Sequence, residues 1–188
     1  MTYPKEFTSK LSDILDIEGG FVDDPIDSGD ATRYGVTEAL AREYGYRGSM
    51  QELPRQKALE IYHEHFWVWM MMDRVHDVAP KTAHELLDAA INIGRRQVWR
   101  WLQRCLNVLN DGGTHYSDIA TDGWPGPQSW NALTAYISTR PGDGDAVLAA
   151  MINGLQAHHY VTLAEQRPKD EQFVYGWVKQ RVLKAAAK

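Results

Sequence analysis

Glu18 has the best credentials for proton chemistry in this 188-residue chain. It extends the series Phe7, Leu11, Ile14 and Leu15, whose spacings of three and four put all five residues on one helix face. A carboxylate on such an apolar stripe is partly desolvated, which favours its protonated form. At a helix C-terminus it also meets the negative end of the macrodipole. Both effects raise its pKa, as a general acid working near neutral pH requires. A helix end turned to solvent fits the same spacing. Asp27 follows nine residues later and Thr32 five after that, across a glycine-containing turn. Two carboxyl groups flanking the bond are the usual equipment for glycoside cleavage. Asp23, Asp24 and Asp30 belong to the same acidic loop, so spacing alone does not select Asp27. The distance between the carboxyl groups, which separates inverting from retaining chemistry, is also left open.

Other reactive side chains make weaker cases. Cys105 is the single cysteine, which excludes an internal disulfide, and its apolar helical surroundings predict a buried, inert thiol. His63 and His65 flank Glu64, and His158 adjoins His159, but neither pattern has the spacing of a zinc-protease helix. There is no nucleophile elbow and no glycine-rich phosphate loop, so no metal and no cofactor are expected. Seven tryptophans suit core packing, with Trp124 the best candidate for exposure because it sits in a turn beside Pro125. A formal charge of −5 argues against a nucleic-acid partner. No stretch approaches the ~20 apolar residues of a membrane span, so stable insertion is not expected.

The elements that position these residues read as mostly helical. A first helix is expected from about Pro4 to Glu18, ended by Gly19-Gly20. Residues 21–36 read as a loop or small, irregular β-hairpin, after which Thr37 caps a short helix through Tyr44. Pro54 suits the start of a helix to about Phe66, with Ala58, Ile61 and Tyr62 inward. The longest apolar periodicity runs from Ala83 to Leu109, as one helix or two joined near Gly94. A turn-rich stretch, Asp111 to Pro127, precedes helices at about Gln128–Ile137, Asp145–Glu165 and Asp170–Ala186. The fold class is mainly α, a helical bundle with one small β-hairpin near the N-terminus.

The run Glu18-Gly19-Gly20-Phe21-Val22-Asp23-Asp24-Pro25-Ile26-Asp27, continuing to Ala31-Thr32-Arg33-Tyr34-Gly35-Val36-Thr37, resembles the phage-type N-acetylmuramidases of glycoside hydrolase family 108. That family shows a Glu-Gly-Gly-Tyr/Phe start, an Asp nine residues on and a Thr-x-Tyr-Gly-Ile/Val-Thr/Ser finish. Where it usually has Asp-Pro-Gly-Gly, this chain has Asp27-Ser28-Gly29-Asp30. Asp88-Ala89-Ala90-Ile91-Asn92-Ile93-Gly94 is similar to the family's Asp-x-Ala-Val-Asn-x-Gly segment. Asp122-Gly123-Trp124-Pro125-Gly126-Pro127 resembles the Asp-Gly-x-x-Gly-Pro motif of an accompanying peptidoglycan-binding segment.

The resemblance implies a lysozyme-like α+β fold, with residues 1–78 as a catalytic lobe and 79–188 as a helical lobe carrying the peptidoglycan-binding segment, packed as one unit. It implies hydrolysis of the β-1,4 bond between N-acetylmuramic acid and N-acetylglucosamine, with Glu18 as acid, Asp27 as partner carboxylate and Thr32 positioning water or substrate. Tyr34, Asp88, Asn92 and Trp124 become candidate substrate contacts, and peptidoglycan strands the partner of an expected monomer. A non-catalytic wall-binding module and a lytic transglycosylase are the competing readings. The N-terminus shows no signal peptide, so the expectation is synthesis in the cytoplasm, with release through a holin or a dedicated exporter to the periplasmic or external wall. If Asp27 is the partner carboxylate, Asp27→Asn lowers wall-lysis rates at least about 100-fold, whereas Asp23→Asn and Asp24→Asn leave them within a few-fold. Equal losses at all three positions would reduce the loop to a charged structural unit.

Overall fold

The computed structural model describes Phe7, the backbone of Phe21–Val22, and residues 31–183. Glu18 and Asp27 lie outside the described residues, as do Leu11, Ile14 and Leu15 of the first expected helix. The chain divides into two compact units, Met1–Trp69 and Met70–Lys188.

In the first unit three two-residue strands form an antiparallel sheet in the order β1 (Phe21–Val22), β2 (Thr32–Arg33) and β3 (Val36–Thr37). Phe21 pairs with Arg33 and Val22 with Thr32, while Arg33 pairs with Val36 and Thr32 with Thr37. The expected small β element is therefore present. Thr37 caps α1 (Glu38–Glu43), its hydroxyl accepting from the Leu40 N–H at 3.3 Å. Helix α2 (Arg55–Tyr62) begins directly after Pro54 and runs on through π-helical turns at His63–Val68. It turns Ala58, Ile61, Tyr62, Phe66 and Trp67 inward. Phe7, helical and 1% exposed, packs edge-on against His63 and Trp67 at 5.2 and 5.6 Å between ring centroids. That contact puts one residue of the expected stripe, Phe7, in the core of this unit.

The second unit is helical among its described residues. Its elements are α3 (Met72–Val78), α4 (Pro80–Ile93), α5 (Arg95–Val108), α6 (Pro127–Thr139), α7 (Gly144–Gln166) and α8 (Glu171–Trp177), the last continuing as π turns over Val178–Val182. Sequence periodicity does not announce α3, which is short, lacks a capping side chain and starts from Met71 in the left-handed region at φ 55°. The long apolar pattern resolves into two helices because Gly94 adopts φ 108°, out of ordinary reach for a side-chain-bearing residue. Leu86, Leu102, Leu106, Leu133, Leu148 and Ile152 are essentially inaccessible and form the core of α4, α5, α6 and α7. Cys105 is buried there, and burial pushes its thiol up to about 11, which leaves it inert as expected.

The start of α4 has no cap of its own and borrows one. The carboxylate of Asp145, from the first turn of α7, accepts from the backbone N–H groups of Lys81 and Thr82, both at 2.8 Å. The Thr82 hydroxyl donates back to the Asp145 carbonyl at 3.2 Å. An anion on free N–H groups at a helix N-terminus is stabilised by those bonds and by the macrodipole. Asp145→Ala should therefore lower unfolding free energy by about 1–2 kcal/mol with helix content unchanged. An unaltered denaturation midpoint would show that α4 and α7 dock without this cap.

Candidate functional site

The candidate residues fall in both units, and each group is built locally. In the first unit Thr32 lies on β2, and Tyr34-Gly35 is the two-residue loop joining β2 to β3. Both loop residues have positive φ, 54° and 72°, as the hairpin turn matching right-handed strand twist requires. Glycine takes that conformation freely, while Tyr34 does so at a cost of about 1–2 kcal/mol. The Tyr62 hydroxyl anchors the turn by donating to the Tyr34 carbonyl at 3.2 Å. The Arg33 guanidinium sits 5.2 Å from the half-buried Tyr34 ring. The hairpin thus carries the Thr32 hydroxyl on a strand paired on both sides, a rigid mount for a positioning group.

Asp88 and Asn92 lie four residues apart on α4, sharing a face as their spacing predicts. With Glu85 they form a polar edge facing polar groups of α7 and the chain's C-terminal helix. Asp88 is buried and receives a hydrogen bond from Arg181 at 3.2 Å. Asn92 donates to the Tyr160 hydroxyl, which also accepts from Gln156 at 3.0 Å. Burial raises the pKa of that hydroxyl, keeping it a neutral phenol. Asn153 bridges the Glu85 carboxylate, at 3.2 Å, to the Val182 carbonyl, at 3.3 Å. These bonds tie α8 and its continuation to α4 and hold the Asp88 and Asn92 side chains in fixed positions.

The third group is the loop between α5 and α6. It has no helix or strand from Asp111 to Gly126, yet side chains of α5 pin it along its length. Asn107 makes a reciprocal pair with Ile119, donating at 2.8 Å and accepting at 2.9 Å. Asn110 donates to the Asp118 carboxylate at 2.7 Å, and the Tyr116 hydroxyl donates to the Leu106 carbonyl at 2.8 Å. Gln103, 1% exposed, is the hub. Its amide nitrogen contacts the Asp122 carboxylate, the Trp124 carbonyl and the Ser129 hydroxyl at 2.9–3.1 Å. Its amide oxygen accepts from the Gly123 N–H at 2.8 Å. Sequence reading missed Gln103, although a glutamine between Leu102 and Cys105 on an apolar helix was the available signal.

Two further constraints shape the loop tip. Gly123 has φ 77°, and a Cβ there would stand 2.5 Å from the Arg96 carbonyl oxygen, so only glycine fits. The Asp122 carboxylate accepts from the Trp124 N–H at 2.9 Å, closing an Asx turn. Trp124 emerges 49% exposed, as expected, with the Arg96 guanidinium 4.4 Å from its ring centroid. Arg96 also donates to the Asp122 carbonyl at 3.2 Å. Trp67, Trp99 and Trp101 are core residues instead. The arrangement presents one fixed aromatic face beside a cation, suited to stacking on a sugar ring.

Residues 11–94 match the family described as Glycosyl hydrolase 108, and residues 97–182 match that described as Predicted Peptidoglycan domain. The two matches meet at the α4–α5 junction. Ten chains among solved structures are similar to this one. One of them, the structure of Brucella abortus SagA, has a TM-score of 0.66 at 23% identity, covering 96% of this chain and 94% of its own. At that identity the likeness is one of fold, and it agrees with the mainly helical, lysozyme-like class. No curated protein matches the chain.

The Asp122 turn carries a pH signature. The Trp124 N–H, then the Gln103 amide, hold its carboxyl below the ordinary carboxylate range. A depressed folded pKa contributes stability that is present above the unfolded value, near 3.8, and is lost as pH falls through the lower folded value. Asp122→Asn should thus be less stable than the parent at pH 5–7, with the gap closing as pH falls below about 4. A gap constant down to pH 2 would remove the carboxylate from the loop's support.

Proposed function

We propose, for a chain whose residues 11–94 match the glycosyl hydrolase 108 family and whose residues 97–182 match the predicted peptidoglycan domain family, that it is a muramidase. The two family matches support the glycoside hydrolase class and the peptidoglycan partner. The finer statement is hydrolysis of the β-1,4 bond between N-acetylmuramic acid and N-acetylglucosamine, leading to wall lysis.

The observation that carries this reading is that the match over residues 11–94 takes in Glu18, Asp27, Thr32 and Tyr34 in one segment. In the proposed reaction Glu18 delivers a proton to the glycosidic oxygen as the C–O bond breaks, releasing the leaving sugar as an alcohol. Asp27 either takes a proton from the attacking water or stabilises the oxocarbenium-like transition state as a carboxylate. Thr32, on the paired β2 strand, orients water or substrate by its hydroxyl, and Tyr34 offers an aromatic face at the hairpin tip. Asp88 and Asn92 are proposed substrate contacts from α4, with Trp124 a binding residue of the peptidoglycan domain.

Glu18→Gln preserves shape but carries no proton to deliver. It should reduce release of reducing ends from purified peptidoglycan by at least about 100-fold while the melting temperature holds or rises. The alkaline limb of the parent's pH–rate profile should fall well above the ~4.3 of an unperturbed glutamate. Mass spectrometry of the products should find hydrated, reducing N-acetylmuramic acid ends. Anhydro-sugar ends would assign a transglycosylase, and lysis by a folded Glu18→Gln protein would overturn the acid assignment.

A further inference from the structure

Helix α5 carries Arg95, Arg96, Arg100 and Arg104 and neither Asp nor Glu, in a chain with a formal charge of −5. Arg96, Arg100 and Arg104 are four residues apart, so they form a row along one edge of the helix about 12 Å long at 1.5 Å per residue. Arg96 and Arg104 are exposed and Arg100 is half-buried. Among the described residues, none of the three has a carboxylate within ion-pair distance. The row adjoins the aromatic tip. Arg96 stacks on Trp124, and Arg100 side-chain atoms lie 3.0 and 3.3 Å from where a Cβ on Gly123 would stand.

A row of like charges on one helix edge repels itself; the Asp122 carboxylate offsets it at the Arg96 end, and among the described residues Arg100 and Arg104 have no carboxylate within ion-pair distance. A bound polyanion would relieve the rest of the row. The row is longer than one small anion, so the complementary ligand is a polymer or a branched molecule with charges spaced along it. The exposed indole beside it asks for a flat, largely uncharged ring face. A nucleic acid strand offers rings and charges too, but the net negative charge of the chain opposes it. A glycan with pendant carboxylated peptides meets both requirements.

We infer that Trp124 and the row Arg96–Arg100–Arg104 are one binding strip, in which the indole stacks on a sugar of the glycan strand and the arginines hold carboxylates of its stem peptides. This rests on the peptidoglycan reading and adds to it which parts of the polymer are recognised. Arg96 belongs to both halves of the strip. Its guanidinium stacks on the indole and gives one bond to the Asp122 carbonyl, leaving further N–H groups for a carboxylate.

The test uses the full chain carrying Glu18→Gln, so that the ligand survives the measurement. Binding is measured to insoluble peptidoglycan stripped of other polymers, to soluble muropeptides with free or amidated stem carboxylates, and to chitin oligomers, which have rings and no carboxylates. Arg100→Glu/Arg104→Glu should weaken binding of free-carboxylate muropeptides about tenfold at low salt, with Arg100→Gln/Arg104→Gln in between. That loss should shrink toward twofold at about 0.5 M salt, and amidated muropeptides and chitin oligomers should be unaffected. Trp124→Ala should weaken all three ligands. Arginine variants that bind free-carboxylate muropeptides like the parent, or lose all ligands equally, overturn the inference while leaving wall binding in place. Tighter binding of a single-stranded oligonucleotide than of muropeptides, lost in the same variants, also overturns it. Failure of the parent to bind peptidoglycan at all overturns both this inference and the reading beneath it.

Discussion

Gly94 decides how the second unit is built. The apolar pattern on either side of it would suit one long helix, and such a helix would leave half of its hydrophobic stripe without a partner. A backbone at φ 108° breaks the pattern so that α4 and α5 pack against each other. Leu86, Leu87 and Ala90 then share a core with Val98, Trp101 and Leu102. Each large side chain of that core contributes about 1.5–3 kcal/mol by its removal from water. The break also aims the two polar edges. Asp88 and Asn92 stay with α7 and α8, while Gln103, Asn107 and Asn110 face the long loop.

The two family segments also meet near this glycine, yet the compact units divide elsewhere, at Trp69–Met70. Helices α3 and α4 lie within the stretch that matches the glycosyl hydrolase family and, by packing, in the unit that holds the peptidoglycan match. The Asp145 cap on α4 and the bond from Arg181 to Asp88 both cross the family boundary. The segment that matches the peptidoglycan domain, joined in this way, is not an appended module on a tether. Its helices complete the core on which α4, with Asp88 and Asn92, depends.

Local features were legible in the sequence where a single residue dictates the outcome. Thr37 announces its helix and Gly94 is marked as a junction, whereas the Tyr34-Gly35 turn, inside a stretch read only as a loop or irregular hairpin, was not singled out. The inert Cys105 and the exposed Trp124 were readable from burial tendencies and turn chemistry. What stayed hidden was set by distant partners. The capping carboxylate of α4 lies 63–64 residues away in sequence. Helix α3 has only Met72 and Val75 buried, with no cap, too little periodicity to read. Gln103 was not singled out, because its four partners come from residues 122–129. Glu18 and Asp27 rest on the pattern of the chain itself and the family match that contains them.

The loop from Asp111 to Gly126 shows why buried amides serve better here than apolar packing. A segment of this length without helix or strand has many unpaired backbone groups and much conformational freedom to lose. Asparagine and glutamine each offer both a donor and an acceptor, so one side chain can satisfy an N–H and a C=O of the same passing strand. Asn107 does this at Ile119, and Gln103 does it at Gly123 and Trp124. Because the ordering is completed during folding, an indole held by these bonds loses little further freedom when a ligand arrives, and more of each contact appears as affinity. Replacing Gln103 by an apolar residue of equal size would keep α5 packed but remove its hydrogen bonds to the Gly123 N–H and the Trp124 carbonyl. The penalty would fall on the loop first and on Trp124 with it, since the indole has no element of its own to hold it.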